Sequence, residues 1–280
     1  MSKALALFRV QVFSFLNPVV LRRSSGREKL RMLLFICIAA GLAGVFAVYT
    51  AFMALGFSAA GMIEALPPLL LLLCVVVTLV CTFLKSSSIF FGFKDYDMIV
   101  SLPVRTGTII TSRLLSLYLL NLLFSGIVLV PGLVVFLYGA YPFEGWIIGF
   151  ILLLFAPLLP LAIGVFVSGI ITVLSMKLRY GSIVTVILSL ICVILLVVFS
   201  VHSIPHKEAD LAVLGAFLSQ FAFQAYPPAE YFQTALVRSD WSAVLIFAFI
   251  SVFSVLLLKI ALGASFGKIN SVLFSRSTRR

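Results

Sequence analysis

Apolar residues in this chain come in long unbroken runs. Six stretches, Met32–Gly56, Leu66–Leu84, Leu114–Leu137, Trp146–Ser175, Ser182–Val201 and Trp241–Leu262, hold a single charge among them, Lys259. A helix needs about 20 apolar residues to cross a hydrocarbon core. No ~10-residue segments alternate apolar with polar as barrel strands do. In lipid every backbone N–H and C=O must find a partner inside the protein, so such runs predict helices. The expected fold is an all-α integral membrane protein of six transmembrane helices.

The flanking segments carry a second pattern. Leu5, Phe8, Val12, Phe15 and Leu16 recur at helical spacing, with Lys3, Arg9 and Gln11 among the other positions. That spacing predicts an amphipathic helix lying in the membrane interface, ended or bent at Asn17-Pro18. The expected organisation is a basic connecting segment over 1–31, a transmembrane domain over 32–262 and a basic tail over 263–280. Pro157 and Pro160 fall inside the fourth run and predict a kink there. Between runs five and six, the segment 202–240 includes the apolar stretch Leu211 to Phe223, which reads as an interfacial or re-entrant helix. Tyr226, Tyr231 and Trp241 suit the headgroup level.

Composition agrees with lipid as the solvent. The chain of 280 residues is 63% hydrophobic and 10% charged, with a mean hydropathy of +1.26. Soluble domains carry roughly 25% charged residues. The net charge of +11 is unevenly placed. Of the 20 Lys and Arg residues, 18 fall in alternate loops and the two ends, leaving Lys207 and Arg238 on the opposite side. Cytoplasmic loops are enriched in Lys and Arg, so both termini are expected inside a bacterial plasma membrane. The charge thus serves insertion and attraction to anionic membrane lipids, and calls for no nucleic acid.

Catalytic motifs are missing. The sequence has no HExxH, no GxSxG and no CxxC pair, and its four cysteines all lie in apolar runs. His202 and His206 are separated by Pro205, which spoils a regular metal-binding helix face. Gly263-Ala-Ser-Phe-Gly267-Lys268-Ile269 has one residue too few between its glycines for a P-loop, and Ile where Ser or Thr would hold magnesium. No cofactor or metal is expected, and any ATP hydrolysis belongs to another chain. No acid or base sits deep inside a run, which argues against a proton-coupled carrier.

Two features remain as candidate sites. In the first run Ala40, Gly44, Ala47, Ala51 and Ala54 form a small-residue stripe, with Ser58 below. Small side chains let helices approach closely in lipid, either to pair with a second unit or to pack within the chain. The second feature is the charged interruption between runs two and three, inside the segment 85–113. Ile89, Phe90, Phe93, Tyr96 and Val100 share one helical face, with Lys94, Asp95 and Asp97 largely off it. This predicts a short helix along the cytoplasmic surface, stopping near Leu102-Pro103, with Thr106 able to cap the next helix. Such a face suits a groove on a soluble partner, although a merely solvated loop would carry the same charges.

The stretch KDYDMIVSLPVRTGTIITSRLLSLYLLNLL, Lys94 to Leu123, resembles the matching segment of ABC-2-type transporter permeases, notably large exporter permeases of Gram-positive bacteria. The basic amphipathic N-terminus, the six runs and YPPAEYF, Tyr226 to Phe232, are also similar to that family. The resemblance implies a permease subunit of an ATP-driven exporter, with a separate ABC ATPase subunit docking on Phe93, Lys94, Asp95, Tyr96, Asp97, Leu102 and Pro103. It also implies pairing with a second permease unit, identical or not. Permeases carrying this segment are often about twice as long, so the chain reads as a half-size subunit or the first half of a longer permease. A non-transporting polytopic protein, such as an immunity, assembly or sensor-anchor factor, would share the topology without needing an ATPase.

Overall fold

The computed structural model describes residues 26–91, 106–138, 143–175 and 219–277. The regular elements among them are all helical. They are α1 (Gly26–Ala59), a 3-10 turn (Ile63–Ala65), α2 (Leu66–Phe91), α3 (Thr106–Tyr138), α4 (Phe143–Phe155), α5 (Leu158–Ser175), α6 (Pro228–Val237) and α7 (Trp241–Ser277). Residues 219–225 are helical as well.

Among the described residues, four helical segments are long and apolar enough to cross a membrane: Ile63–Ser86, Gly107–Tyr138, Phe143–Ile171 and Trp241–Gly263. They match runs two, three, four and six. Run one lies within α1, of which Ala43–Ala59 forms a shorter apolar helix. Run five, Ser182–Val201, lies outside the described residues, as does the amphipathic segment before residue 26.

Local chemistry explains the helix ends. At the end of α1 the Gly61 N–H donates to Ser58 O and the Met62 N–H to Phe57 O, at 3.1 and 2.9 Å. This pair of bonds needs a left-handed residue, and Gly61 supplies it at φ 71° without steric cost. Pro67 and Pro68 open α2, where a missing N–H costs nothing. Asp240 caps α7: its carboxylate accepts the Ser242 N–H and the Ser242 hydroxyl, each at 2.9 Å. Those two bonds, the backbone one first, hold the Asp240 carboxyl below its ordinary pKa. Ser239, just before it, sits at φ 52° to turn the chain from α6 into α7.

The proline pair in run four breaks the helix. α4 ends at Phe155 and α5 begins at Leu158, so the helix lapses for two residues within a single candidate span, where a kink is expected. The Tyr118 hydroxyl of α3 donates to Leu154 O at 2.9 Å, satisfying a carbonyl beside the break.

α2 is the hub, packed against α3, α5 and α6, whereas α1 touches the bundle mainly through α3. Two apolar clusters result. One gathers Leu66, Leu70, Leu133, Phe136, Ile148, Leu152 and Phe247 around α6, at the end where α2 begins. The other, toward the opposite end, gathers Ile110, Leu114, Leu117, Leu161, Val165, Leu258 and Leu262. Glu64, Glu144, Glu230 and Asp240 stand at the α6 end, and Lys85, Arg113 and Lys259 lie toward the other.

Three expectations from the sequence need correction. Ile89 and Phe90 do not open a separate surface helix, because α2 continues without a break to Phe91, and the rest of that expected helix lies outside the described residues. Arg113 is not a loop residue: it lies in α3, two turns from the helix start, and is only 5% exposed. The long stem of an arginine packs readily along an apolar helix face, which lets the spanning helix begin before the charge. Tyr226 is not presented outward, as an anchoring ring would be, but is buried with Cys74 in the α6-end cluster. The turn between residues 225 and 228 folds it inward, while Tyr231 and Trp241 are exposed.

Candidate functional site

None of the expected ATPase-docking residues falls among the described ones. Phe93, Lys94, Asp95, Tyr96, Asp97, Leu102 and Pro103 lie outside the described residues, between α2 ending at Phe91 and α3 starting at Thr106. The helix ends that flank them, Phe91 of α2 and Thr106 of α3, lie toward the end of the bundle that carries Lys85, Arg113 and Lys259.

The small-residue stripe of α1 divides in two. Ala54 is fully buried in the chain's own core, and Ala47 and Ala51 are half-buried. Ala40 and Gly44 are exposed, and a Cβ added at Gly44 would meet nothing within 4 Å. Ala43, Gly44 and Ala47 line an open apolar groove with Gly126, Ile127, Val130 and Pro131 of α3. The lower half of the stripe therefore serves intrachain packing, and the upper half is open.

A third arrangement was not singled out in the sequence. Cys74, Thr78, Thr82 and Ser86 recur every four residues on α2, and all four are fully buried. A four-residue step keeps them on one side of the helix. Over 12 residues the column rises about 18 Å, at 1.5 Å per residue. It starts within the α6-end cluster at Cys74, runs toward the other end, and meets polar Asn121 of α3 at Thr82. The Asn121 amide N–H donates to Thr82 Oγ1 at 3.0 Å, and Cys74 Sγ lies 3.9 Å from Thr78 Oγ1. Ser125, one turn from Asn121, is also fully buried and back-bonds to Leu122 O at 3.1 Å. On the α5 side Gly164 lets Thr82 approach: a Cβ there would lie 2.8 Å from Thr82 Cγ2. Ser168 follows one turn later, buried.

The column is not saturated. Asn121 Oδ1 and Ser86 Oγ are buried without a hydrogen-bond partner, as is the Tyr226 hydroxyl in the α6-end cluster. Leaving a buried donor or acceptor unsatisfied costs about 1–3 kcal/mol. A search for charges passes over this column, because its members are hydroxyls, a thiol and an amide. The four-residue period of polar positions inside run two was the available signal.

Comparison with family models, with curated proteins and with solved structures gives no match.

Proposed function

We propose that the chain is the membrane-spanning permease subunit of an ATP-driven ABC exporter, with six spans and both termini in the cytoplasm. Lys94 to Leu123, with its acidic DYD and its SLP break, carries the reading. Its place between α2 and α3 is where a connection between two spans would meet a soluble partner. The gathering of Lys85, Arg113 and Lys259 toward the same end, and of Glu64, Glu144, Glu230 and Asp240 at the other, supports a cytoplasmic location for it. The interrupted helix α4–α5 supports transport, since discontinuous spans recur at substrate sites of transporters. Two such units pair, with Ala40 and Gly44 of α1 as the open part of the pairing face.

Co-purification with the ABC ATPase encoded beside the gene tests the docking surface. Phe93→Ala is expected to weaken the association about tenfold, near the lower end of what burying an aromatic contributes, about 1.5 kcal/mol. Asp95→Asn or Asp97→Asn alone is expected to cost less, since exposed charge pairs contribute roughly 0–1 kcal/mol. A larger loss from either Asn change than from Phe93→Ala would contradict docking through an apolar face. Failure of the unaltered chain to bind favours the non-transporting alternative.

A further inference from the structure

We propose that the buried column on α2 is a wettable path through the subunit, taking water and, with it, neutral hydrogen-bonding groups. The residues that define it are Cys74, Thr78, Thr82 and Ser86 of α2 with Asn121 and Ser125 of α3, all fully buried.

Three observations carry this. First, a buried polar side chain recurs at each turn of α2, and two of the steps carry a polar contact. The column begins at Cys74, which shares a cluster with Tyr226 at the α6 end. It then passes the Thr78 pair and the Thr82–Asn121 hydrogen bond to Ser86. Its length of about 18 Å is more than half of a hydrocarbon core about 30 Å thick. Second, the column starts in the α6-end cluster at Cys74, but Thr78, Thr82, Ser86, Asn121 and Ser125 belong to neither apolar cluster. Third, Asn121 Oδ1 and Ser86 Oγ are fully enclosed yet unpartnered, and the Asn121 amide is held against α2 by its bond to Thr82. A water molecule settles in a buried site when two to four polar partners converge on it, and this column offers such partners at successive turns.

The chemistry of the column also limits what it takes. Hydroxyls and an amide both donate and accept hydrogen bonds without carrying charge. No carboxylate or ammonium belongs to it. A free ion would lose its hydration there with no opposite charge to replace it. Neutral donor–acceptor groups, of which water is the smallest, meet no such penalty.

This deepens the transport reading by routing the path between α2 and α3 of one subunit. It rests on that reading only for its use in export. Wetting is measured without any ATPase, so its failure and the failure of the exporter reading are distinguishable.

The test is the reaction rate of single cysteines with 2-hydroxyethyl methanethiosulfonate, a neutral reagent that donates and accepts hydrogen bonds, using the full chain in proteoliposomes. The reagent attacks the thiolate, which forms where water reaches the sulfur and is suppressed in apolar surroundings. Thr82→Cys and Ser86→Cys, in a chain otherwise lacking cysteine, are compared with Leu117→Cys and Leu129→Cys. These controls are equally buried but lie in the apolar clusters. Lys85→Cys serves as the exposed reference. The column positions are expected to react at least about tenfold faster than the leucine positions, since one pKa unit between wet and dry sites is tenfold in thiolate. A difference of less than tenfold, with Lys85→Cys reacting normally, overturns the proposal and leaves the column a dry joint. If either substituted chain fails to fold, Ser125→Cys, equally buried and outside both apolar clusters, gives the same comparison.

Discussion

Phe232→Ala is expected to destabilise the protein by about 3–5 kcal/mol, the range for removing a large aromatic from a packed interior. Phe232 is fully buried on α6, with Ala229, Ala235 and Leu236 on the same buried side. Its ring meets Phe247 of α7 edge-on, with centroids 5.7 Å apart and planes at 61°. Such a pair adds roughly 0.5–1.5 kcal/mol beyond burial. α6 is only a 10-residue helix, far too short to span, and it holds its place by packing on α2, α4 and α7. The Gln233 side-chain N–H donates to Glu64 O at 2.7 Å and ties it to the turn before α2, but one exposed bond does not replace a core aromatic. Thermal unfolding in detergent reads the loss. A cost below about 1 kcal/mol would mean that α6 is not seated in the bundle.

Gly164→Leu is expected to separate α5 from α2, at about 3 kcal/mol, the upper end of typical overpacking costs. Any side chain at 164 starts with a Cβ 2.8 Å from Thr82 Cγ2 and 3.0 Å from Thr82 Cβ. Thr82 has little freedom to move aside, since a β-branched side chain is stiff within a helix and its hydroxyl holds the Asn121 amide. Gly126→Ala is the control, because its Cβ would meet nothing within 4 Å. That change is expected to be neutral or to gain up to about 1 kcal/mol from helix propensity. Equal melting temperatures for the two variants would contradict the close α2–α5 contact.

Much of this architecture is legible in the residues. Runs two, four and six appear as candidate spanning helices within four residues of their apolar limits, and run three with a start seven residues earlier, because lipid leaves the backbone no alternative to a helix. Pro157 and Pro160 announced the interruption of run four, since a proline removes a donor wherever it stands in a helix. Pro131 shows the limit of that signal: it sits inside α3, which continues to Tyr138. Its fate depends on neighbours the sequence does not display.

What was missed depends on tertiary contact. Tyr226 suited the headgroup level as an aromatic near a span end, yet it is buried, together with Ala229 and Phe232. Whether such a segment lies on the bundle or within it is decided by the partner helices. Arg113 was read as a loop charge because charge alone was taken to end a span. The column on α2 escaped because Cys, Thr and Ser are common in spanning helices, where a hydroxyl commonly bonds its own backbone. Only the facing Asn121 and the close approach at Gly164 distinguish Thr82 from such a residue.

The permease role itself turns on coupling to ATP hydrolysis, and one measurement addresses it directly. The purified chain is reconstituted in liposomes with the ABC ATPase from the same operon, and ATP hydrolysis is followed with and without the chain. An exporter subunit is expected to raise the rate several-fold, to lose most of that gain with Phe93→Ala, and to hydrolyse nothing alone. A hydrolysis rate that the chain leaves unchanged, with no ATPase retained on the liposomes, would contradict the exporter reading and favour a non-transporting membrane protein.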